Sequence, residues 1–133
     1  MECSLIDIPH VENISGFIGF VQNGSGIPFD IKRVYFITNV PAGEVRGVHG
    51  HKRLEQVFIA ITGSFKVSTL NRSGYQDFDL TNPQKGLYIP SMSWREITNF
   101  SSLATTCLVL ASDVYEPSDY IYDKAEFITQ ISS

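Results

Sequence analysis

Short apolar stretches separated by turn-forming residues recur along the whole chain. Turn signals stand at 23–26 (NGSG), 40–44 (VPAGE), 62–63, 71–74 (NRSG), 81–86 (TNPQKG) and 89–93 (IPSMS). The runs between them are rich in β-branched and aromatic residues and predict strands over 17–22, 31–38, 56–61, 65–70, 75–80, 86–89, 95–99 and 105–111. Short strands at this regular spacing point to an all-β sandwich or barrel. Phe65, Val67 and Thr69 alternate with Lys66, Ser68 and Leu70, an imperfect period of two that puts one face of that strand on a core. The run VFIAI at 57–61 is apolar throughout, which predicts cover on both of its faces. Beyond Pro117 the segment SDYIYDKAEFITQ predicts a short C-terminal helical tail, with Ser118 or Asp119 as its N-cap. Neither a repeat nor a linker interrupts the pattern, so residues 1–133 are expected to form a single domain.

Composition narrows the class. With 43% hydrophobic and 18% charged residues the chain has enough apolar surface for one packed core and lacks the signature of disorder. The longest apolar run, TCLVLA, is too short to cross a bilayer, and the start MECSLIDIPH has no basic leader segment, so a cytoplasmic protein without membrane attachment is expected. Cys3, near an expected loose start, and Cys107, inside an apolar strand, are read as unpaired thiols. A net charge of −4 argues against a nucleic-acid partner, which needs a basic face. Local clusters at Lys32 and Arg33 and at Arg46, Lys52 and Arg53 still leave room for a small anionic ligand.

The chemistry concentrates in GEVRGVHGHKRLEQVFIAITG, residues 43–63. His49 and His51 stand two apart, and on an extended strand both point to one face, so both imidazoles enter one cavity. His10, alone in a polar segment, is read as a surface residue. The stretch resembles the first cupin motif, with Gly43, His49, His51 and Gly63 in frame. Gln56 occupies the motif's glutamate position, Glu55 is one step off register on the opposite face, and Arg95 stands where the second cupin motif has a histidine. A divalent metal needs several deprotonated N or O donors, and a guanidinium repels it, so no metal is expected. Two imidazoles with ordinary pKa values near 6.5 suit proton transfer instead.

Four ordered blocks, IPFDIKRVYFI, VRGVHGHKRLEQV, GLYIPSMSW and LVLASDVYEPSDYI, make the chain similar to the dTDP-4-keto-6-deoxyglucose 3,4-ketoisomerases, which carry a WxcM-like domain. The resemblance covers about residues 16–127. It implies a cupin β-roll (jelly roll), a homodimer with exchanged N-terminal strands, a dTDP-linked 4-keto-6-deoxy sugar as substrate, no cofactor, and a place in deoxysugar and glycan (lipopolysaccharide) biosynthesis. It also implies His49 and His51 as acid/base residues, Tyr35 and Arg46 beside them in the catalytic site, and Gln56 as an ordinary family residue at the substrate site. The ketone would move from C4 to C3 through an enediol or enediolate, with His49 handling the carbon proton and His51 the oxygen protons or the orientation of its neighbour. Tyr35 and Arg46 are the candidate donors to the developing oxyanion. Arg33, Arg95, Tyr88 and Trp94 are candidates for binding the nucleotide. Competing readings are a binding cupin without turnover, a metal-dependent cupin enzyme, and an epimerase of the same nucleotide sugars. Exposed sheet edges make dimerisation a reasonable expectation in any of them.

Overall fold

The apolar run at 57–61 becomes the centre of a five-stranded sheet. In the computed structural model, which describes residues 2–133, this sheet has the order β1 (Ser4–Asp7), β9 (Lys85–Ile89), β6 (Gln56–Thr62), β11 (Thr106–Ala111) and β4 (Arg33–Ile37). A second five-stranded sheet runs β12 (Tyr120–Ile121), β5 (Arg46–His51), β10 (Ser93–Thr98), β7 (Phe65–Asn71) and β8 (Gly74–Leu80). Residues at alternate positions of facing strands meet between the sheets, with Phe58 and Ala60 of β6, Leu87 and Ile89 of β9 and Val109 of β11 against Phe65 and Val67 of β7 and Ile97 of β10. Burying each such side chain contributes about 1.5–3 kcal/mol, and this core is what closes the roll. The architecture is the jelly roll expected, with one short C-terminal helix, α1 (Lys124–Ile131).

Several sequence expectations shift in detail. VFIAI is covered on both faces over 57–60, while Ile61 is 46% exposed. Its outer cover is not a second sheet: Ile6, Ile8, Val21, Ile27, Phe29 and Ile31 of the N-terminal segment pack on Val57, Ile59, Tyr88 and Leu110. The strand expected over 17–22 is shorter, β3 (Gly16–Gly19), and pairs with β2 (His10–Asn13) as a hairpin. The pattern missed β1 and β2 because SLID and HVEN are short and half polar. His10 is exposed and stacks on Phe17 at 5.1 Å. Cys3 does not lie in a loose start but is buried with Phe58 and Leu87, near Asn71 and Ser93. Both cysteines are unpaired.

The helical tail begins later than predicted. Ser118 and Asp119 lie in a single tight turn at Pro117–Asp119, and Asp123 is the N-cap, its carboxylate accepting from the backbone N–H groups of Ala125 and Glu126. Phe127 anchors α1 on the outer face of the second sheet against Leu70, Trp94 and Ile121. Gly50 makes this seat possible, since a Cβ there would lie 2.8 Å from the Phe127 ring. The seated tail thereby delivers β12 to the edge of β5, pairing Tyr120 with His51.

Candidate active site

Strand parity builds the site on β5. Val48 points outward and is 42% exposed, while His49 and His51 turn inward and meet edge to face, with ring centroids 4.9 Å apart. Tyr120 packs against both imidazoles at 4.8 and 4.4 Å, and Tyr122 lies 5.7 Å from His49 and stacks on Tyr120. A cavity of about 310 Å³ opens beside them, lined by Arg33, Tyr35, Arg46, Gly47, His49, Arg95 and Tyr120.

Arg95, paired with His49 across the β5–β10 ladder, is a fully buried side chain in this wall. Its Nε and Nη2 donate to Gln56 Oε1 at 3.2 and 3.0 Å, Nη1 donates to the Gly47 carbonyl at 2.5 Å, and Nη2 lies 3.5 Å from the Tyr35 hydroxyl. Gln56 Nε2 in turn donates to Tyr35 at 2.9 Å, and the guanidinium rests over the Phe58 ring. No carboxylate pairs with Arg95 among the described residues. Burial pushes its pKa down, yet a guanidinium stays charged, so the site holds a cation compensated only by neutral oxygens. Gly47 is required for this arrangement: its φ is +66°, and a Cβ there would stand 2.3 Å from Arg95 Nη1.

The histidines feel that cation. His49 is pushed down to about 2, by burial first, then by Arg95 and His51. His51 is pushed down to about 3, by burial first, then by Arg95 and Arg33. Both are neutral at neutral pH, and the buried Nε2 of each has no hydrogen-bond partner among the described residues. His51 Nδ1 lies 3.2 Å from Oδ2 of Asp119, a buried carboxylate whose place in the sequence suggests only a helix cap.

A resident metal, which the cupin fold suggests, does not fit these residues. Among the described residues no three His, Cys, Asp or Glu side chains converge as ligands. The positions beside the histidine pair are held by an amide and a guanidinium, and Glu55 is committed to the Tyr88 hydroxyl on the other face of the first sheet.

The structure thus brings Arg33, Tyr35, Arg46, His49 and Arg95 to one cavity, with His51 packed against His49 and Gln56 behind Arg95 and Tyr35. Tyr88 and Trp94 stand elsewhere, for a reason of parity. Leu87 and Ile89 face the core, so Tyr88 between them faces the outer apolar cluster. Arg95 faces inward, so its neighbour Trp94 faces outward, packs on Phe127 and donates to Glu96. Both are buried away from the imidazoles. Residues not anticipated at the site are Asp119, Tyr120, Tyr122 and Tyr115, the last 5.6 Å from Tyr120 and under the Arg33 guanidinium. The i, i+2 spacing of Tyr120 and Tyr122 was the one available signal.

Known proteins with the same build carry recognisable chemistry. The model of the FdtA family, described as WxcM-like, C-terminal, matches residues 1–132. A TDP-4-oxo-6-deoxy-alpha-D-glucose-3,4-oxoisomerase of Aneurinibacillus thermoaerophilus is 37% identical over 135 residues, covering 99% of this chain and 96% of that protein. Among solved structures, a 3,4-ketoisomerase from Helicobacter canadensis aligns with a TM-score of 0.92 and 34% identity, over 100% of this chain and 99% of its own. A histidine-to-asparagine variant of the 3,4-ketoisomerase QdtA from Thermoanaerobacterium thermosaccharolyticum, in complex with TDP-4-keto-6-deoxyglucose, aligns with a TM-score of 0.92 and 35% identity, over 98% and 94%.

Proposed function

Because the chain belongs to the FdtA family of WxcM-like domains, we propose that it is a sugar 3,4-ketoisomerase acting on a TDP-linked 4-keto-6-deoxyhexose. One observation carries the reading: two buried imidazole Nε2 atoms lie beside a buried guanidinium, the former without a hydrogen-bond partner and the latter without a counter-ion among the described residues. Shifting the ketone from C4 to C3 removes the C3 proton, passes through an enediolate and protonates C4, while the oxygen at C3 loses a proton and that at C4 gains one. Atoms and electrons balance without an external oxidant, so proton carriers and an oxyanion partner suffice. His49, which lines the cavity and is held neutral, takes the carbon proton as the enediolate charge develops beside it, an anion that offsets the Arg95 field holding its pKa below the ordinary 6.5, and then returns the proton; His51, packed against it, relays the oxygen protons. Arg95 and Tyr35 supply the positive field and the donor for the enediolate. Arg33 and Arg46 line the same cavity and are the cations available to pair with the diphosphate, with Arg46 also a candidate donor to the oxyanion.

Incubation with TDP-4-keto-6-deoxyglucose in deuterated water tests this. Deuterium appears at C4 of a 3-keto product and, on reversal, at C3 of recovered substrate. Exchange without ketone movement would make the chain an epimerase, and no exchange would make it a binder. The same proposal includes a homodimer with exchanged N-terminal strands, supported by the apolar outer residues Ile18, Phe20, Val34 and Phe36, which are exposed in a single chain. Light scattering on a sizing column is expected to return twice the 14.9 kDa chain mass. Two unpaired, buried thiols fit a cytoplasmic place in deoxysugar and glycan biosynthesis.

A further inference from the structure

We propose that Asp119 is a positioning residue for the histidine pair: it holds the His51 proton on Nδ1 and leaves the lone pair on Nε2. This rests on the ketoisomerase reading for its consequence in turnover, but not for its geometry.

The donors around Asp119 fix its role. Oδ1 accepts from the Arg53 backbone N–H at 2.7 Å and lies 3.7 Å from Arg53 Nη2, and Oδ2 accepts from the Leu54 backbone N–H at 3.1 Å. Oδ2 is also the atom 3.2 Å from His51 Nδ1, in a contact with both side chains at 6% exposure or less. An ionised carboxylate accepts and cannot donate, so the hydrogen in the Nδ1 contact belongs to the imidazole. A neutral ring has one such hydrogen, and Nε2, buried and without a partner, is therefore the basic atom. The turn that carries Asp119 is stapled to the strand it serves, because its carbonyl accepts from the Lys52 N–H and Tyr120 pairs with His51. The other titratable or charged groups facing His51 are His49, Tyr120, Arg95 and Arg33. The two arginines oppose an imidazolium, and Asp119 is the carboxylate placed to offset them when His51 takes a proton.

A residue that only stapled the 52–54 turn would leave the tautomer and the kcat-to-KM split untouched. Long-range ¹H–¹⁵N NMR of the intact wild-type protein reads the tautomer directly. The expected result is His51 protonated on Nδ1 with Nε2 bare; a proton on Nε2 overturns the proposal. In Asp119→Asn, whose amide can donate, the expected result is a shift of the His51 proton toward Nε2. With it goes a kcat lower by about 10²- to 10⁴-fold, while KM and TDP affinity stay within about threefold. A folded Asp119→Asn protein with wild-type kcat also overturns it. If that variant fails to fold, the wild-type tautomer decides alone. If wild-type protein has no ketoisomerase activity, the functional reading falls while the tautomer still judges the positioning.

Discussion

Lowering the pH from 7 to 5 forces protons onto the unfolded histidines and not onto the folded pair. Each imidazole has a folded pKa, about 2 for His49 and about 3 for His51, below its unfolded value near 6.5. Between those limits the unfolded chain binds more protons, so the contribution of the pair is fully present above pH 6.5 and is lost as pH falls through the window. At pH 5 one histidine has crossed about 1.5 units, and at 1.36 kcal/mol per unit that costs about 2 kcal/mol. His49 keeps part of its ring near the pocket opening, and solvent screening reduces its share to about 1–1.5 kcal/mol. The isolating perturbation is His49→Gln, which removes one titrating group and leaves the carboxylates, His10 and the rest of the chain in place. Melting curves at pH 7 and 5 for both proteins form the assay. A chain of this size loses a few degrees per kcal/mol, so the acid-induced fall in Tm is expected to be about 5 °C larger for wild type than for the variant. Equal falls, or a larger one in the variant, would refute the claim that His49 is held neutral by burial and Arg95.

Three further outcomes follow from the packing of the site. Gly47→Ala sets a Cβ against Arg95 Nη1 at a left-handed backbone position, and is expected to lower stability by about 1–3 kcal/mol in urea melts and to reduce activity with it. Arg95→Met removes the cation at the imidazoles; kcat is expected to fall at least about 100-fold, with circular dichroism showing a retained β fold. Tyr88→Phe deletes a hydroxyl that donates to Glu55 on the outer face, so a stability loss of about 1 kcal/mol with unchanged kcat and KM is expected, and a KM effect would return Tyr88 to the substrate site.

The β roll was legible because its strands carry the periods that physics imposes. β6, β7, β8, β9 and β11 all fall within two residues of the runs that alternation and turn residues delimit. The pairing of His49 and His51 on one face followed from their spacing alone, and so did the opposite facing of Glu55 and Gln56. Parity applied to β10 also puts Arg95 and Trp94 on opposite faces, so the two cannot line one nucleotide pocket. What the pattern could not supply is tertiary. The N-terminal cover of β6 comes from an irregular segment whose Val21, Ile27 and Phe29 follow no period. Asp119 reaches His51 from 68 positions away through a turn that a sequence reads as a helix start. The buried state of Arg95 depends on Gly47 and Gln56 closing around it, which no single position announces.

On the proposed mechanism, this pocket moves a ketone from one carbon of a nucleotide-linked sugar to the next by proton transfer alone. The most direct measurement is ¹³C NMR of TDP-4-keto-6-deoxyglucose labelled at C4, incubated with catalytic amounts of the protein in chelator-treated buffer. The expected spectrum shows the labelled carbon leaving its carbonyl resonance for that of a hydroxyl-bearing carbon at equilibrium. A label that remains a carbonyl after prolonged incubation, or moves only when a divalent metal is added back, would contradict the account.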